Sequence, residues 1–179
     1  MISIDGLNWV ASTVRASGRP SIASLSLGGN VSQALDDAAT SLVNMGIHVT
    51  AAAGNDNIDA QNTSPARAQG VVTVGSSNIN DARSSFSNYG AVVDFFAPGE
   101  NIISAGKDSN TATATYSGTS MGTPHVAGII AYLIGENGNT SPQAMVNQLK
   151  TLSVKGKLSG VPAGTANNLV QNGNGAPAK

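Results

Sequence analysis

Gly118-Thr119-Ser120-Met121-Gly122-Thr123-Pro124-His125-Val126-Ala127-Gly128, "GTSMGTPHVAG", sets a glycine-boxed serine at the mouth of an apolar segment. Proline lacks the N–H that an interior turn needs and is tolerated in a helix's first turn, so helical geometry should begin close to Ser120. From Ser120 to about Gly135 nearly every residue is apolar or small. A helix apolar on all sides is a buried one, so this helix is expected at the centre of the fold.

The flanking pattern says what surrounds it. Leu7, Val10, Ala11 and Val14 fall at i, i+3, i+4 and i+7, one face of a helix that should stop near Ser17-Gly18. "SIASLSL" then reads as a buried strand closed by Gly28-Gly29. Leu35, Ala38, Ala39, Leu42 and Val43 mark a second helical face ending at Met45-Gly46, and "IHVTAAA" is another buried strand running into Gly54-Asn55. "GVVTVGSS" and "AVVDFFA" are further strands, the second broken by Pro98-Gly99, and a last helix should start at Ser141-Pro142. Strands alternating with helices predict an α/β fold: a parallel sheet with helices on both faces. Functional groups of such sheets gather beyond the carboxyl ends of the strands. Both glycine-rich strand exits lie there.

The 179 residues make one domain, able to bury roughly 70% of its unfolded surface. With 11% charged residues and a net charge of -1, the chain has no electrostatic footprint for nucleic acid or an anionic membrane. It has no cysteine, which excludes a disulfide framework, a zinc–thiolate site and cysteine catalysis. No apolar run reaches the roughly 18 residues of a membrane span, and "MISIDGLNWV" lacks the basic start of a signal peptide. Residues 1–170 read as the folded part and 171–179 as a flexible tail.

At a helix N-terminus, Ser120 would meet free backbone N–H groups and a dipole that favour developing negative charge. That suits an acyl-transfer nucleophile, although on position alone a plain serine N-cap is the commoner reading. The stretch also matches G-x-S-x-G, the elbow of α/β-hydrolases, whose chain order is serine, acid, histidine. After Ser120 the chain has no Asp, one Glu (Glu136) and one His (His125). Five residues put His125 about 140° around the helix and about 7.5 Å along it, facing away from the hydroxyl. The esterase reading fails. The other histidine, His48, lies in a strand pattern where packed, hydrogen-bonded histidines are usual. The residues therefore offer a nucleophile without a general base.

"SGTSMGTPHVAG" resembles the nucleophile motif of subtilisin-like serine peptidases, with Gly122 where that family carries Ala. "SLSLGG" resembles its cleft strand and "AAAGNDN" its oxyanion-asparagine turn, with "SSFSNYG" and "FAPGENI" in support. The likeness is greatest to secreted fungal enzymes of the proteinase K type and runs from about residue 5 to 170. It implies that Ser120 attacks the scissile carbonyl of a polypeptide and that Asn55 and the Ser120 N–H bind the oxyanion. It implies that Ser26, Leu27 and Gly28 pair with an extended substrate, and that Ala51, Ala52, Ala53 and Gly54 line a wall of the specificity pocket. On residue type alone, Asn55 reads first as a turn residue, and the alanines equally as tight sheet packing. The resemblance further implies an extracellular protein and a structural calcium held by the Gln69 and Val71 carbonyls and Asp94. A single carboxylate makes a weak calcium site, and Asp94 has the alternative of ordering its loop.

One departure matters. Family order is Asp, His, Ser, and the first two precede the cleft strand. No "HGTHVAG" motif stands before Ser26 here. The expectation is the carboxyl-terminal part of a serine endopeptidase, with nucleophile and oxyanion donor kept and base and acid lacking. Such a chain would be inactive alone and expose a sheet edge. That edge would take a missing N-terminal segment or self-associate. A non-catalytic peptide-binding module, and half of a complemented enzyme, are the alternatives.

Overall fold

The apolar spacing from Leu7 to Val14 does form a helix, α1 (Ile2–Ser17), closed by Gly18 at a φ of 62°. The computed structural model describes residues 2–173. Four expected strands follow: β1 (Ile22–Leu25), β3 (His48–Ala52), β5 (Val72–Ser77) and β6 (Phe95–Pro98). They pair in parallel, β1 with β3, β3 with β5 and β5 with β6. Two short strands complete the sheet, β9 (Val154–Lys155) and β10 (Asn168–Leu169), in the order β1-β3-β5-β6-β10-β9. The pairing of β9 with β10 is antiparallel, so the sheet is mostly rather than wholly parallel.

Alternation along the strands assigns side chains to two faces. Val49 and Ala51 of β3 pack with Leu7 of α1 and with Ala39 and Leu42 of α2 (Gln33–Asn44). Val72, Val74, Phe95 and Ala97 pack on the other face. They meet Val126, Ile130 and Leu133 of α3 (Thr119–Asn137) and Met145 and Leu149 of α4 (Pro142–Leu152). Ser141 caps α4 by accepting from the Ala144 N–H at 3.3 Å. Among the described residues no helix is long and apolar enough to cross a membrane.

Four expectations need correction. "SIASLSL" is strand only to Leu25; Ser26–Gly28 leave the sheet and Leu27 is 40% exposed. "AVVDFFA" enters the sheet only at Phe95, because residues 90–93 close a turn through the Val93 N–H to the Gly90 carbonyl. Pro124 is the sixth residue of α3, a turn deeper than its missing N–H suggests. And α3 is covered on one side only: Val126 and Ile130 are buried, whereas His125, Gly128, Ala131 and Tyr132 are exposed.

Two small pairs lie outside the main sheet. β2 (Gly29–Asn30) runs antiparallel to β4 (Thr63–Ser64), and β7 (Ile102–Ala105) to β8 (Thr113–Tyr116). Their brevity hides them from a periodicity reading. Of the expected tail, Gln171 donates to the Leu152 carbonyl at 2.6 Å, and residues 174–179 lie outside the described ones.

Gly75, in the middle of β5, makes room for the fully buried Phe96 of β6: a Cβ there would run into the ring. Neither ring nor strand can retreat in a close-packed sheet. Gly75→Ala should therefore destabilise the fold by about 1–3 kcal/mol, the usual cost of overpacking, read as a lower urea midpoint at unchanged slope.

Candidate active site

The parallel strands deliver the chain to one end of the sheet, and the N-terminus of α3 arrives at the same end. β3 stops at Ala52, and Gly54 turns the chain with a φ of 105°. A side chain at Gly54 is excluded twice, by that φ and by Asn88 Nδ2, which occupies the space a Cβ would need. Asn55 then stands at the surface, facing the start of α3.

The two segments are joined by Thr119, which is wholly buried. Its N–H donates to Asn55 Oδ1 at 2.8 Å and its hydroxyl donates to the same oxygen at 3.0 Å. That hydroxyl also accepts from the Gly54 N–H at 3.2 Å. Because a backbone N–H can only donate, the atom it meets is the amide oxygen, which settles the side-chain flip. Asn55 Nδ2 is left as the outward end, with two N–H donors to offer.

Ser120 is the second residue of α3, half-buried, and its N–H has no carbonyl four residues back inside the helix. Its hydroxyl lies 3.5 Å from the Ser26 carbonyl, a long contact, while the Ser26 hydroxyl donates to the Ser120 carbonyl at 2.8 Å. These groups border a cleft of about 370 Å³ lined by Ser26, Leu27, Gly28, Ala52, Gly54, Asn55 and Ser120. Ile58 and Asn62 reach it too, with Thr63 at the start of β4, from a stretch that no motif marks.

Two expected wall residues turn elsewhere. Ala51 packs into the core beneath α1 and α2, and Ala53 packs with Phe96, Val93 and Leu158. The period of two along β3 sends only Ala52 toward the cleft, followed by Gly54. For Ala51 and Ala53 the tight-packing alternative describes the side chains.

Both histidines are engaged away from Ser120. His125 is exposed on α3, and its Nδ1 meets the Met121 carbonyl at 2.8 Å. His48 is buried at the start of β3, with Nε2 at 2.9 Å from Asn139 Oδ1. That end of β3 is about 13 Å of strand away from the end carrying Asn55. Among the described residues, no hydrogen bond joins a histidine to Ser120.

Asp94, Gln69 and Val71 sit apart from the cleft. Asp94 Oδ2 accepts from the Thr73 N–H at 3.0 Å, and Oδ1 lies 3.5 Å from Lys150 Nζ. Burial pushes the Asp94 carboxyl above its ordinary range, against the lowering effects of the Thr73 N–H and the Lys150 charge. Gly70, at a φ of 80° and closed over Val43, forms the turn between Gln69 and Val71. The Gln69 carbonyl accepts from the Thr40 hydroxyl at 3.3 Å. The Asp94 carboxylate and the Gln69 carbonyl are hard oxygen donors of the kind calcium takes, and here they are engaged by the Thr73 N–H, the Lys150 ammonium and the Thr40 hydroxyl.

Asn88, from "SSFSNYG", is the residue whose role no motif announced. It is wholly buried and makes four bonds: Nδ2 to the Ala53 carbonyl at 2.8 Å and to Thr63 Oγ1 at 3.2 Å, and Oδ1 from the N–H groups of Asp56 and Ile58 at 3.0 and 3.1 Å. It holds the turn that carries Asn55.

The Subtilase family pattern matches residues 1–175. A cuticle-degrading protease of Metarhizium anisopliae is 49% identical over 172 residues, 95% of this chain and 44% of its own length. Alkaline protease 1 of Aspergillus flavus is 47% identical over 176 residues, 97% of this chain and 43% of its own. The crystal structure of a cold adapted subtilisin-like serine proteinase superposes with a TM-score of 0.89 at 46% identity, covering 94% of this chain and 60% of that one. The fold is thus subtilisin-like, and the chain spans less than half the length of the two relatives.

Asn88→Ala would leave buried donors and acceptors unpaired, at about 1–3 kcal/mol for each group that water does not reach. The expected outcome is a clear loss of stability together with faster amide exchange at Asp56 and Ile58. Exchange in β5 and β6 should quicken only with global unfolding.

Proposed function

The chain belongs to the subtilase family of serine proteases, and from that premise we propose that it carries the nucleophile and oxyanion half of an endopeptidase site. The observation behind this reading is the Thr119 clamp on Asn55 Oδ1, which turns Asn55 Nδ2 outward beside the Ser120 N–H. In this reading Ser120 Oγ attacks the carbonyl carbon of a peptide bond as its C=O π bond opens onto oxygen. The resulting oxyanion takes hydrogen bonds from Asn55 Nδ2 and the Ser120 N–H, in the field of the α3 N-terminus. Removing such an amide donor costs about 10²–10³-fold in turnover, a figure measured on subtilisin itself.

The hydroxyl proton needs an acceptor, and His48 and His125 are committed elsewhere. We propose that the base and its orienting carboxylate come from a segment outside this chain, and that the chain alone does not hydrolyse peptides. Without the triad, an oxyanion hole and binding leave about 10³–10⁴-fold over water, again a subtilisin figure, too little for an ordinary peptidase assay. The substrate is an extended polypeptide lying along Ser26–Gly28, in an extracellular setting. The complementing segment would cover β1, which among the described residues pairs only with β3 in the sheet, and the open side of α3. In its absence that edge favours self-association.

Active-site labelling separates the readings. A fluorophosphonate should leave Ser120 unmodified in the chain alone and modify it once a segment supplying the histidine and aspartate is added. Labelling of the chain by itself would falsify the need for an outside base. No labelling in either case would leave a peptide-binding module.

For calcium, we propose weak binding at Asp94 with the Gln69 and Val71 carbonyls. Calcium near the about 10⁻⁴–10⁻³ M range of weak sites should raise the melting midpoint, reversibly with chelator. Lys150→Met should enlarge that rise by removing the competing ammonium. A midpoint that ignores calcium in both proteins sinks the assignment.

A further inference from the structure

We infer that Ser26 is a positioning residue for the nucleophile, its hydroxyl taking the place of the backbone N–H that Pro124 withholds from the Ser120 carbonyl. The inference rests on reading Ser120 as the nucleophile. It concerns the Ser26 side chain, which substrate pairing through the backbone leaves without employment.

In an α-helix the carbonyl of residue i is taken by the N–H of residue i+4. Four residues after Ser120 stands Pro124, which has no N–H and whose ring crowds that carbonyl outward. The Ser120 carbonyl is therefore orphaned inside a helix, on the residue that carries the reacting hydroxyl. It is met by Ser26 Oγ at 2.8 Å, from 94 residues away. No local turn motif brings the two together. Ser26 follows directly on Leu25, whose register opposite Ala51 is set by the β1–β3 pairing, so the sheet itself fixes where the hydroxyl stands.

The neighbouring groups show why this bond has consequences. The Thr119 N–H is held by Asn55 and the Thr119 carbonyl receives the Thr123 hydroxyl at 2.8 Å. Residue 119 is thus tied at both ends, whereas the carbonyl of residue 120 is tied by Ser26. Loss of that tie lets the peptide plane after Ser120 tilt and turns the Ser120 Cα, so the base of the Oγ rotor moves, while the Ser120 N–H stays in the preceding plane that the Thr119 carbonyl holds. A displacement near 1 Å at a reacting group is worth up to about 10²-fold in rate.

The test is a double-mutant cycle with a spectroscopic readout. Ser120–Met121 is the only Ser–Met step in the chain, so carbonyl-¹³C serine with ¹⁵N methionine isolates the Ser120 carbonyl signal. Ser26→Ala should shift that signal and lower the melting midpoint by about 2–4 °C. Ser26→Thr, which keeps the hydroxyl, should do neither. In a Pro124→Ala background the new N–H satisfies the carbonyl, so adding Ser26→Ala should leave the signal where Pro124→Ala put it. An equal shift in both backgrounds, or none in either, overturns the proposal. With the complementing segment added, Ser26→Ala should slow fluorophosphonate labelling by about tenfold, the rate equivalent of one hydrogen bond, and Ser26→Thr should restore it. If no variant labels, the peptidase reading fails, while the carbonyl signal still decides what Ser26 does.

Discussion

The site depends on one oxygen atom. Asn55 Oδ1 accepts both the N–H and the hydroxyl of Thr119, and so binds the end of β3 to the start of α3 while fixing which end of the amide faces the cleft. An exposed asparagine left to itself would sample several rotamers and both amide orientations. Held at two points, it would, as the proposed oxyanion donor, present Nδ2 without a reorganisation cost, which is what gives a preorganised donor its value. The clamp in turn leans on Gly54, which alone permits the turn, and on Asn88, which pins the loop on its other side. Thr119 closes the circle by accepting from the Gly54 N–H.

The fold is legible in the sequence where burial is periodic. The α1 and α2 faces, the strands β3 and β5, and the Ser141 cap of α4 stand where the spacing puts them, because each buries a continuous apolar stripe. It is not legible where tertiary pairing rather than pattern decides. "SIASLSL" alternates well past Leu25, yet the strand pairs only to Leu25 opposite Ala51, one residue before β3 ends on its other neighbour at Ala52. Val93 is as apolar and buried as Phe95, but it reaches the core from a turn. The apolar run from Ser120 onward implies a helix surrounded by protein, and half of its circumference is open.

Of the proposed site, the sequence marks the residues assigned the chemistry and hides their supports. Ser120 and Asn55 sit in quotable motifs at a helix mouth and a strand exit, places that topology singles out. Thr119, Asn88 and the Ser26 hydroxyl act through partners 64, 35 and 94 residues away, and no local signal encodes such distances. Even so, "SSFSNYG" and the serine of "SLSLGG" stand out as resemblances. What a resemblance lacks is a reason, which the hydrogen bonds of Asn88 and Ser26 supply. Ala51 and Ala53 show the converse: strand alternation alone sets them aside, whereas a contiguous motif draws them in.

On the proposed reading, the same physics separates the oxyanion donors from the proton acceptor. The direct hydrogen-bond partners of Ser120 and Asn55 come from the ends of β1 and β3 and the start of α3, with Asn88 bracing the turn behind them, so the proposed oxyanion half is positioned by the sheet and its loops. A base must approach Ser120 Oγ from the cleft side, beyond the strand exits. The elements bordering that space are the Ser26–Gly28 segment, the edge of β1 and the open side of α3. Among the described residues none of these carries a carboxylate or an imidazole bonded to the hydroxyl. An unassisted hydroxyl stays protonated at neutral pH and is a poor nucleophile, however well its oxyanion would be received. Electrostatic preorganisation and proton transfer are thus physically separable here, because the first is built from backbone and amide donors that the sheet positions. On the proposed reading, the second would come from an imidazole approaching across the cleft.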